Sequence, residues 1–485
     1  MPEQGLTEDE VFAHLDDIRT DDLDTKGGRT WAYVYDPGRP DIDRVAKRAL
    51  VEFYDENGLD PTVFPSMLRL ENEVIGIARD HLRGDEDVVG NFTTGGTESI
   101  MMAVKAARGW ARENRPEIKS PKMVLPVTAH AAFHKAANYF DIEPGSVPVD
   151  TKTWKAEPEA MAAACDDDTI LMVGSAVSYA HGVIDPIDEL GRIALDLDVL
   201  LHVDGCIGGF VLPYFRRLGR DVTDFDFTVP GVTSISMDFH KYAYCPKNAS
   251  VILYRDAALR RHQLYAKAAW TGYTVINTTF QSTKSGGALA ATWAALNYTG
   301  DQGYLEIAER TLAAVDAIRA GIEEIDDLEV MGDPESNLVA LTSETVNVFD
   351  VVDQMRKQRW YVQPQLGFAG SRENIHLSIV GASFDLVPGL LGDLERACDA
   401  ARREPTPPVD ADLVALLESL DPATLDGEAF DVLLAGAGIG SDDGSPALPD
   451  ETAGINAILN VCPPELAERV LIEYFNRIYV PDPPA

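Results

Sequence analysis

Apolar positions recur along most of this 485-residue chain, and their spacing changes from segment to segment. EDEVFAHLDDI (8–18) and DRVAKRALVEFYDEN (43–57) gather them on one side of a helix. SMLRLENEVIGIARDHL (66–82) does the same after a break at Pro61–Pro65. From about residue 90 to 300, helical patterns alternate with short β-branched runs. MVLPV (123–127), TILMVGSAV (169–177), DVLLHVD (198–204), TSISMD (233–238) and SVILYRD (250–256) read as buried strands. That alternation predicts an α/β domain with a mostly parallel sheet. A helical stretch over 304–325 leads into an α+β C-terminal part. Within it, residues 406–451 are acidic and rich in Gly and Pro, which predicts helix–loop structure with a mobile stretch. PPELAERVLIEYFNRIY (463–479) is a final amphipathic helix. The expected division is an N-terminal arm (1–60), a large α/β domain (61–300) and a smaller α+β domain (301–485).

Composition narrows the function. Hydrophobic residues at 45% and charged residues at 25% are ordinary for a globular chain with a large core. No apolar run approaches the roughly 20 residues a membrane helix needs. The acidic N-terminus lacks the basic-then-apolar order of a signal peptide, so a soluble cytoplasmic protein is expected. Lys and Arg number 41 against 79 Asp and Glu, a net charge of −38. Such a surface repels phosphate backbones and anionic lipid, which speaks against nucleic-acid or membrane-surface partners. It suits a halophilic protein, because concentrated salt screens the self-repulsion. The five cysteines are scattered and never spaced as C-x-x-C, so neither a disulfide framework nor a metal site is indicated.

Three segments carry chemistry. In NFTTGGTESIMMAVKAAR (91–108) a strand end meets a Gly-Gly turn and then a helix. Its backbone N–H groups suit a phosphate, with Thr94, Thr97 and Ser99 as possible hydroxyl donors, although a plain strand-to-helix turn reads the same way. DVLLHVDGCIGGF (198–210) ends a strand on Asp204, where open α/β sheets place ligands; an Asp capping the next turn is the alternative. SISMDFHKYAYCPKNASVILYRD (234–256) sets His240 and Lys241 just past another strand. A lysine there is a candidate nucleophile, or else a surface residue of a turn. Together the three supply a phosphate cradle, a carboxylate for a protonated ring nitrogen and an amine for an aldehyde, the needs of pyridoxal 5'-phosphate. In HAAFHKAANYF (130–140), His130 could stack on that ring or simply cap its helix.

In chain order these segments, with GSAVSYAHGVIDPIDELG and SGGALAATWAALNYTGDQGY, resemble the group II pyridoxal-phosphate decarboxylase superfamily of fold type I. Within it they are most similar to the sphingosine-1-phosphate lyases. The resemblance runs from about Thr30 to the final helix. It implies an aspartate aminotransferase-like α/β fold and a homodimer with shared active sites acting on a small amine or amino acid. It implies that Lys241 bonds the cofactor aldehyde, Asp204 binds the ring nitrogen and His130 stacks on the ring. Gly95, Gly96 and Thr97 would hold the phosphate with His240 nearby, and Ser282 and Thr283 in QSTKSGG would reach it from the other subunit. Tyr35 and Lys247 match positions lining the substrate pocket, Tyr35 as a catalytic group. The reaction implied is Cα–Cβ cleavage of an amino-alcohol-type substrate to an aldehyde. Amino-acid decarboxylation, or a fold relative without turnover, are the alternatives.

The sequence also departs from the lyases. Asn57-Gly58-Leu59-Asp60 replaces Asn-Pro-Leu-His, Thr283-Lys284 replaces Ser-Arg, and SYAHG (178–182) replaces NFPHG. An acid at position 60 works against a phosphate in the substrate pocket, so a phosphorylated long-chain base is expected to be handled poorly.

Overall fold

In a computed structural model describing residues 4–422 and 451–481, the β-branched runs assemble into a seven-stranded sheet. Its strands are β1 (Val89–Thr93), β2 (Lys122–Pro126), β3 (Glu143–Val147), β4 (Thr169–Ser175), β5 (Leu200–Asp204), β6 (Val232–Asp238) and β7 (Ser250–Tyr254). The order is β1-β7-β6-β5-β4-β2-β3, with β1 to β6 all running the same way and only β7, between β1 and β6, reversed. Every residue of β4 and β7 is buried, as expected of strands covered on both faces. The predicted strands all form, and β3, whose EPGSV has no β-branched run until its last residue, is the edge the pattern did not reveal.

Helices α1 (Glu8–Ile18), α2 (Pro40–Glu52) and α3 (Pro65–His81) precede the sheet. Those flanking it are α4 (Gly96–Asn114), α5 (Ala132–Phe140), α6 (Pro158–Ala164), α7 (Ile187–Asp196), α8 (Gly208–Arg217) and the short α9 (Ala257–Arg260). A strand pair, β8 (Tyr265–Lys267) with β9 (Val275–Asn277), leads to the long α10 (Gly286–Ile322). The helix expected from residue 304 therefore begins much earlier, with a break at Gly300, whose φ of 63° is left-handed. Its first turn lies against the end of α2: Gly286 N–H donates to Glu56 O, and a Cβ on Gly286 would sit 2.6 Å from that oxygen. Glycine permits this approach.

The smaller sheet, in order β10-β11-β13-β12, is antiparallel: β10 (Glu329–Val330), β11 (Leu338–Thr342), β12 (Gln363–Gln365) and β13 (Asn374–Ser378). Helices α11 (Val348–Lys357) and α12 (Val387–Arg403) cover it through Val351, Val352, Leu390 and Leu394. Trp31 is buried in the same core beside Trp360. Its backbone is stitched in on both sides, Trp31 N–H to Tyr361 O at 2.8 Å and Ser378 N–H to Trp31 O at 2.7 Å. That anchorage carries residues 33–35 across to the large sheet. Helices α13 (Ala411–Ser419), α14 (Ala453–Val461) and α15 (Pro464–Ile478) complete the described chain. Most of the stretch expected to be mobile, residues 423–450, lies outside the described residues.

Candidate active site

The parallel strands end where the chain leaves the sheet towards its loops, the usual ligand edge of an open α/β sheet. Ser175, Asp204 and Asp238 are the last residues of β4, β5 and β6. They face a cavity of about 340 Å³ that also touches Gly95, Gly96, Thr97, His130, His240 and Lys241. Residues far apart in sequence are thus brought together as expected.

Helix α4 opens on the Gly95-Gly96 turn, and no side chain caps it. Its first N–H groups are therefore left for something else, and with the helix dipole they favour an anion. Gly95 has φ 155°, and a Cβ on Gly96 would lie 2.6 Å from Cys206 Sγ and 2.8 Å from Asp238 Oδ2. Glycine is required for both reasons. Ser99 is a correction to the hydroxyl donors expected here. Its Oγ is buried at 2.6 Å from Thr93 Oγ1 and 2.8 Å from Ser250 Oγ, tying α4 to β1 and β7 instead of facing the cavity. Thr94 Oγ1 is likewise spent, donating to Glu98 Oε2 at 2.8 Å.

Asp204 is buried, and its Oδ1 accepts from Cys206 N at 3.0 Å and Ser236 Oγ at 3.3 Å. Beneath it His202 hydrogen-bonds Ser234 and Ser236, and burial pushes its imidazole down to about 4, so the ring is neutral.

Lys241 Nζ lies 2.8 Å from Asp238 Oδ2. Burial alone would raise the Asp238 carboxyl, but the charges of Lys241 and His240 outweigh it and hold it below the ordinary value. Burial would lower Lys241, yet Asp238 holds it above the ordinary lysine value. Both groups are therefore charged. Asp238 is the partner that sequence reasoning missed, although its place three residues before the lysine, at a strand end, was a usable signal.

His240 Nδ1 accompanies the Ala249 carbonyl at 2.9 Å, and its Nε2 is 3.7 Å from Asp238. His130 Nδ1 accepts from Ala132 N at 3.1 Å, so it caps α5 while its ring still lines the cavity. Tyr35 packs edge-on against Tyr242 at 5.2 Å, close enough to feel Lys241 and Asp238. Burial raises its hydroxyl above the ordinary tyrosine value. Lys247 reaches back from an exposed turn, its Nζ 3.1 Å from Tyr33 O and 4.7 Å above the Tyr35 ring. Burial of that amine, then repulsion by Lys241, lowers it from the ordinary lysine value.

Tyr35 and Lys247 approach Lys241 without lining the cavity, and Asp60, Ser282 and Thr283 lie away from it within one chain. Asp60 is exposed and accepts from Thr62 N and Oγ1 at 2.8 and 2.7 Å, the work of a turn cap before α3. Asp60 therefore does not line its own chain's cavity. Ser282 and Thr283 are exposed as well. Their loop is pinned at both ends by carboxylates, one buried and one half-buried, that the sequence pattern did not single out. Glu98 accepts from Thr94 N at 2.7 Å and Phe280 N at 3.0 Å, while Glu71 takes Lys284 at 2.8 Å and Phe92 N at 3.0 Å.

These surroundings fit pyridoxal phosphate. Besides the uncapped helix start, Asp204 and Lys241, the cavity holds Ser175 Oγ and Asp238 Oδ1 buried without a hydrogen-bond partner among the described residues. A polar occupant would complete them.

Comparison with known proteins gives the same picture. The pyridoxal-dependent decarboxylase conserved domain matches residues 40–343, and a pyridoxal-dependent enzyme C-terminal putative helix-turn-helix domain matches residues 411–477. Over the latter span the sequence has thirteen acidic side chains and two arginines, a charge that repels a phosphate backbone. A sphingosine-1-phosphate lyase of Arabidopsis thaliana is 38% identical over 73% of this chain and 65% of its own length. One from Oryza sativa subsp. japonica is 37% identical over 84% of this chain and 75% of its own. The solved sphingosine-1-phosphate lyase of Burkholderia pseudomallei is 34% identical, with a TM-score of 0.79 over 83% of this chain and 93% of that one.

Proposed function

Since this chain belongs to the pyridoxal-dependent decarboxylase family, we propose that it is a homodimeric carbon–carbon lyase that opens the Cα–Cβ bond of a β-hydroxy amine. The carrying observation is one cavity that joins an uncapped helix start, Asp204 and the Asp238–Lys241 pair, in a chain similar to sphingosine-1-phosphate lyases. When bound, pyridoxal phosphate supplies an electron sink beside the bond that breaks.

The chain's own groups do the rest. The N–H groups of Gly96 and Thr97 would hold the phosphate, with His240 beside them. Lys241, whose amine is docked on Asp238, would hold the aldehyde. Asp204, kept in place by its hydrogen bonds to Cys206 and Ser236, would keep the ring nitrogen protonated. His130 would pack against the ring. The Lys247 amine, held below the ordinary lysine value, is at hand to take the proton of the substrate's β-hydroxyl, and the Tyr35 hydroxyl, which burial keeps protonated, would hydrogen-bond that oxygen.

The dimer is supported by the segment before α10. Tyr265, Trp270, Tyr273, Ile276 and Phe280 are exposed together there, a surface a second copy would cover, and Ser282 and Thr283 follow directly. Among the described residues no helix is long and apolar enough to cross a membrane. With a net charge of −38, we place the protein in a salt-rich cytoplasm.

Decarboxylation is the competing reaction, since the matching domain carries that name and the same electron sink serves both. Mass spectrometry of the products decides between them. The lyase reading expects an aldehyde and no carbon dioxide from a β-hydroxy amine; carbon dioxide from an amino acid, with no aldehyde from the amine, overturns it.

A further inference from the structure

A second chamber of about 330 Å³ adjoins the cofactor cavity, and His130 and Tyr179 line both. Tyr179 stands at one of this chain's departures from the lyase pattern, in SYAHG. Its ring stacks on His376 at 4.3 Å and its hydroxyl donates to Gln363 Oε1 at 2.7 Å. Beyond that wall lie Leu366, Phe368 and Trp154, and the Trp154 ring is stacked on His181 at 4.4 Å.

Two properties set the chamber apart. Among the described residues no Asp, Glu, Lys or Arg lines it. Three of its lining residues also carry a polar atom buried with no hydrogen-bond partner among the described residues: Thr128 Oγ1, His181 Nδ1 and Asn374 Oδ1. His181 and Asn374 are each 1% exposed. Their other ends are already engaged, His181 Nε2 with Ser371 Oγ at 2.9 Å and Asn374 Nδ2 with Arg372 O at 3.0 Å. Only the free ends are unpaired among the described residues.

We infer that this chamber is a substrate subsite for an uncharged group that hydrogen-bonds, such as a hydroxyl or carboxamide at the end of the substrate remote from its amine. This rests on the reading that the chain acts on an amine held at Lys241. A charged end finds no counter-charge here, and burial pushes His181 down to about 4, so its ring stays neutral. An alkyl end would leave three polar atoms buried and unpaired, each at a cost well above that of a satisfied group.

The test uses the pyridoxal-phosphate-loaded enzyme and 2-amino-3-hydroxyalkanes of equal length ending in methyl, hydroxyl, carboxamide or carboxylate. The hydroxyl and carboxamide ends should exceed the methyl end about tenfold in kcat/KM, and the carboxylate should be poorest. Thr128→Val should shrink that preference about three- to tenfold through KM, with kcat kept, because it removes binding common to ground and transition states. Its stability to urea should be unchanged or higher, since Thr128 Oγ1 has no partner to lose; Asn374→Ser repeats the comparison at a second atom. Trp154 fluorescence, identified against Trp154→Phe, reports binding of the same probes whichever bond breaks. A methyl end preferred over the polar ends, or a ranking unmoved by both variants, overturns the subsite. Polar ends bound more tightly without any aldehyde released would sink the lyase reading and uphold the subsite.

Discussion

The two chambers that meet at His130 and Tyr179 are built from opposite materials. The cofactor cavity is walled by buried charge, with Asp204, Asp238, Lys241 and Glu98 all touching it. The chamber beside it has no charged side chain among the described residues, only neutral hydrogen-bonding atoms set in apolar and aromatic walls. Buried charge is expensive and persists only where it is paired or does chemistry. Neutral polar atoms discriminate between ligands at far lower cost. One chamber is thus suited to breaking bonds and the other to choosing what enters.

Removing the central charge gives the largest effect. Lys241→Ala should abolish activity and the adduct that borohydride reduces, which in the parent maps to SISMDFHKYAYCPK. It should also strand Asp238 in the interior, costing on the order of 3–5 kcal/mol near neutral pH, with part recovered in acid where the carboxyl is protonated. Denaturant melts of cofactor-free protein at two pH values measure this. A variant that kept the same adduct would show that another lysine holds the cofactor.

Asp204→Asn is the next largest. A neutral amide cannot hold the ring proton, so turnover should fall about 10²–10³-fold while some cofactor remains bound. Near-parental kcat would remove Asp204 from the chemistry.

Proton titration then touches both chambers. Burial puts His202, under Asp204, and His181, in the neutral chamber, at about 4, below the ordinary 6.5. Between those values the folded protein binds fewer protons than the unfolded chain, so stability rises with pH. It should be intact above pH 6.5 and fall as pH drops towards 4, by on the order of 2 kcal/mol per ring at pH 5. Urea melts at pH 7 and 5 measure these rings together with buried His376, lowered to about 3, and against Asp185, raised to about 6, so the share of His181 is read from the His181→Gln variant. A pH dependence identical in parent and variant would mean that this ring is hydrated.

Salt should separate surface charge from buried charge with the mildest effect. Raising KCl from 0.1 M to about 1 M shortens the screening length from about 10 to about 3 Å. The melting temperature and the dimer fraction should rise, whereas the absorbance of the cofactor adduct at Lys241 should not move. Melting and dimer mass independent of KCl would refute the halophilic reading.

The sequence by itself determined the elements and the ingredients. Alternating β-branched runs fixed the parallel strands because they must be buried on both faces, and Gly95-Gly96, Asp204 and Lys241 were legible because each lies at or just past the end of a strand. Their family order supplied the cofactor. The tertiary structure decided what those residues face. Asp238 became the partner of Lys241 through the turn after β6, and Ser99 was claimed by Thr93 and Ser250 across neighbouring strands. Asp60 was placed on the surface by the turn into α3. The second chamber is assembled from segments near residues 128, 154, 180 and 370, none of which signals a site alone. Local pattern reports a residue's periodicity and caps, but unpaired polar atoms and shared walls exist only once distant segments pack, so no window of sequence contains them.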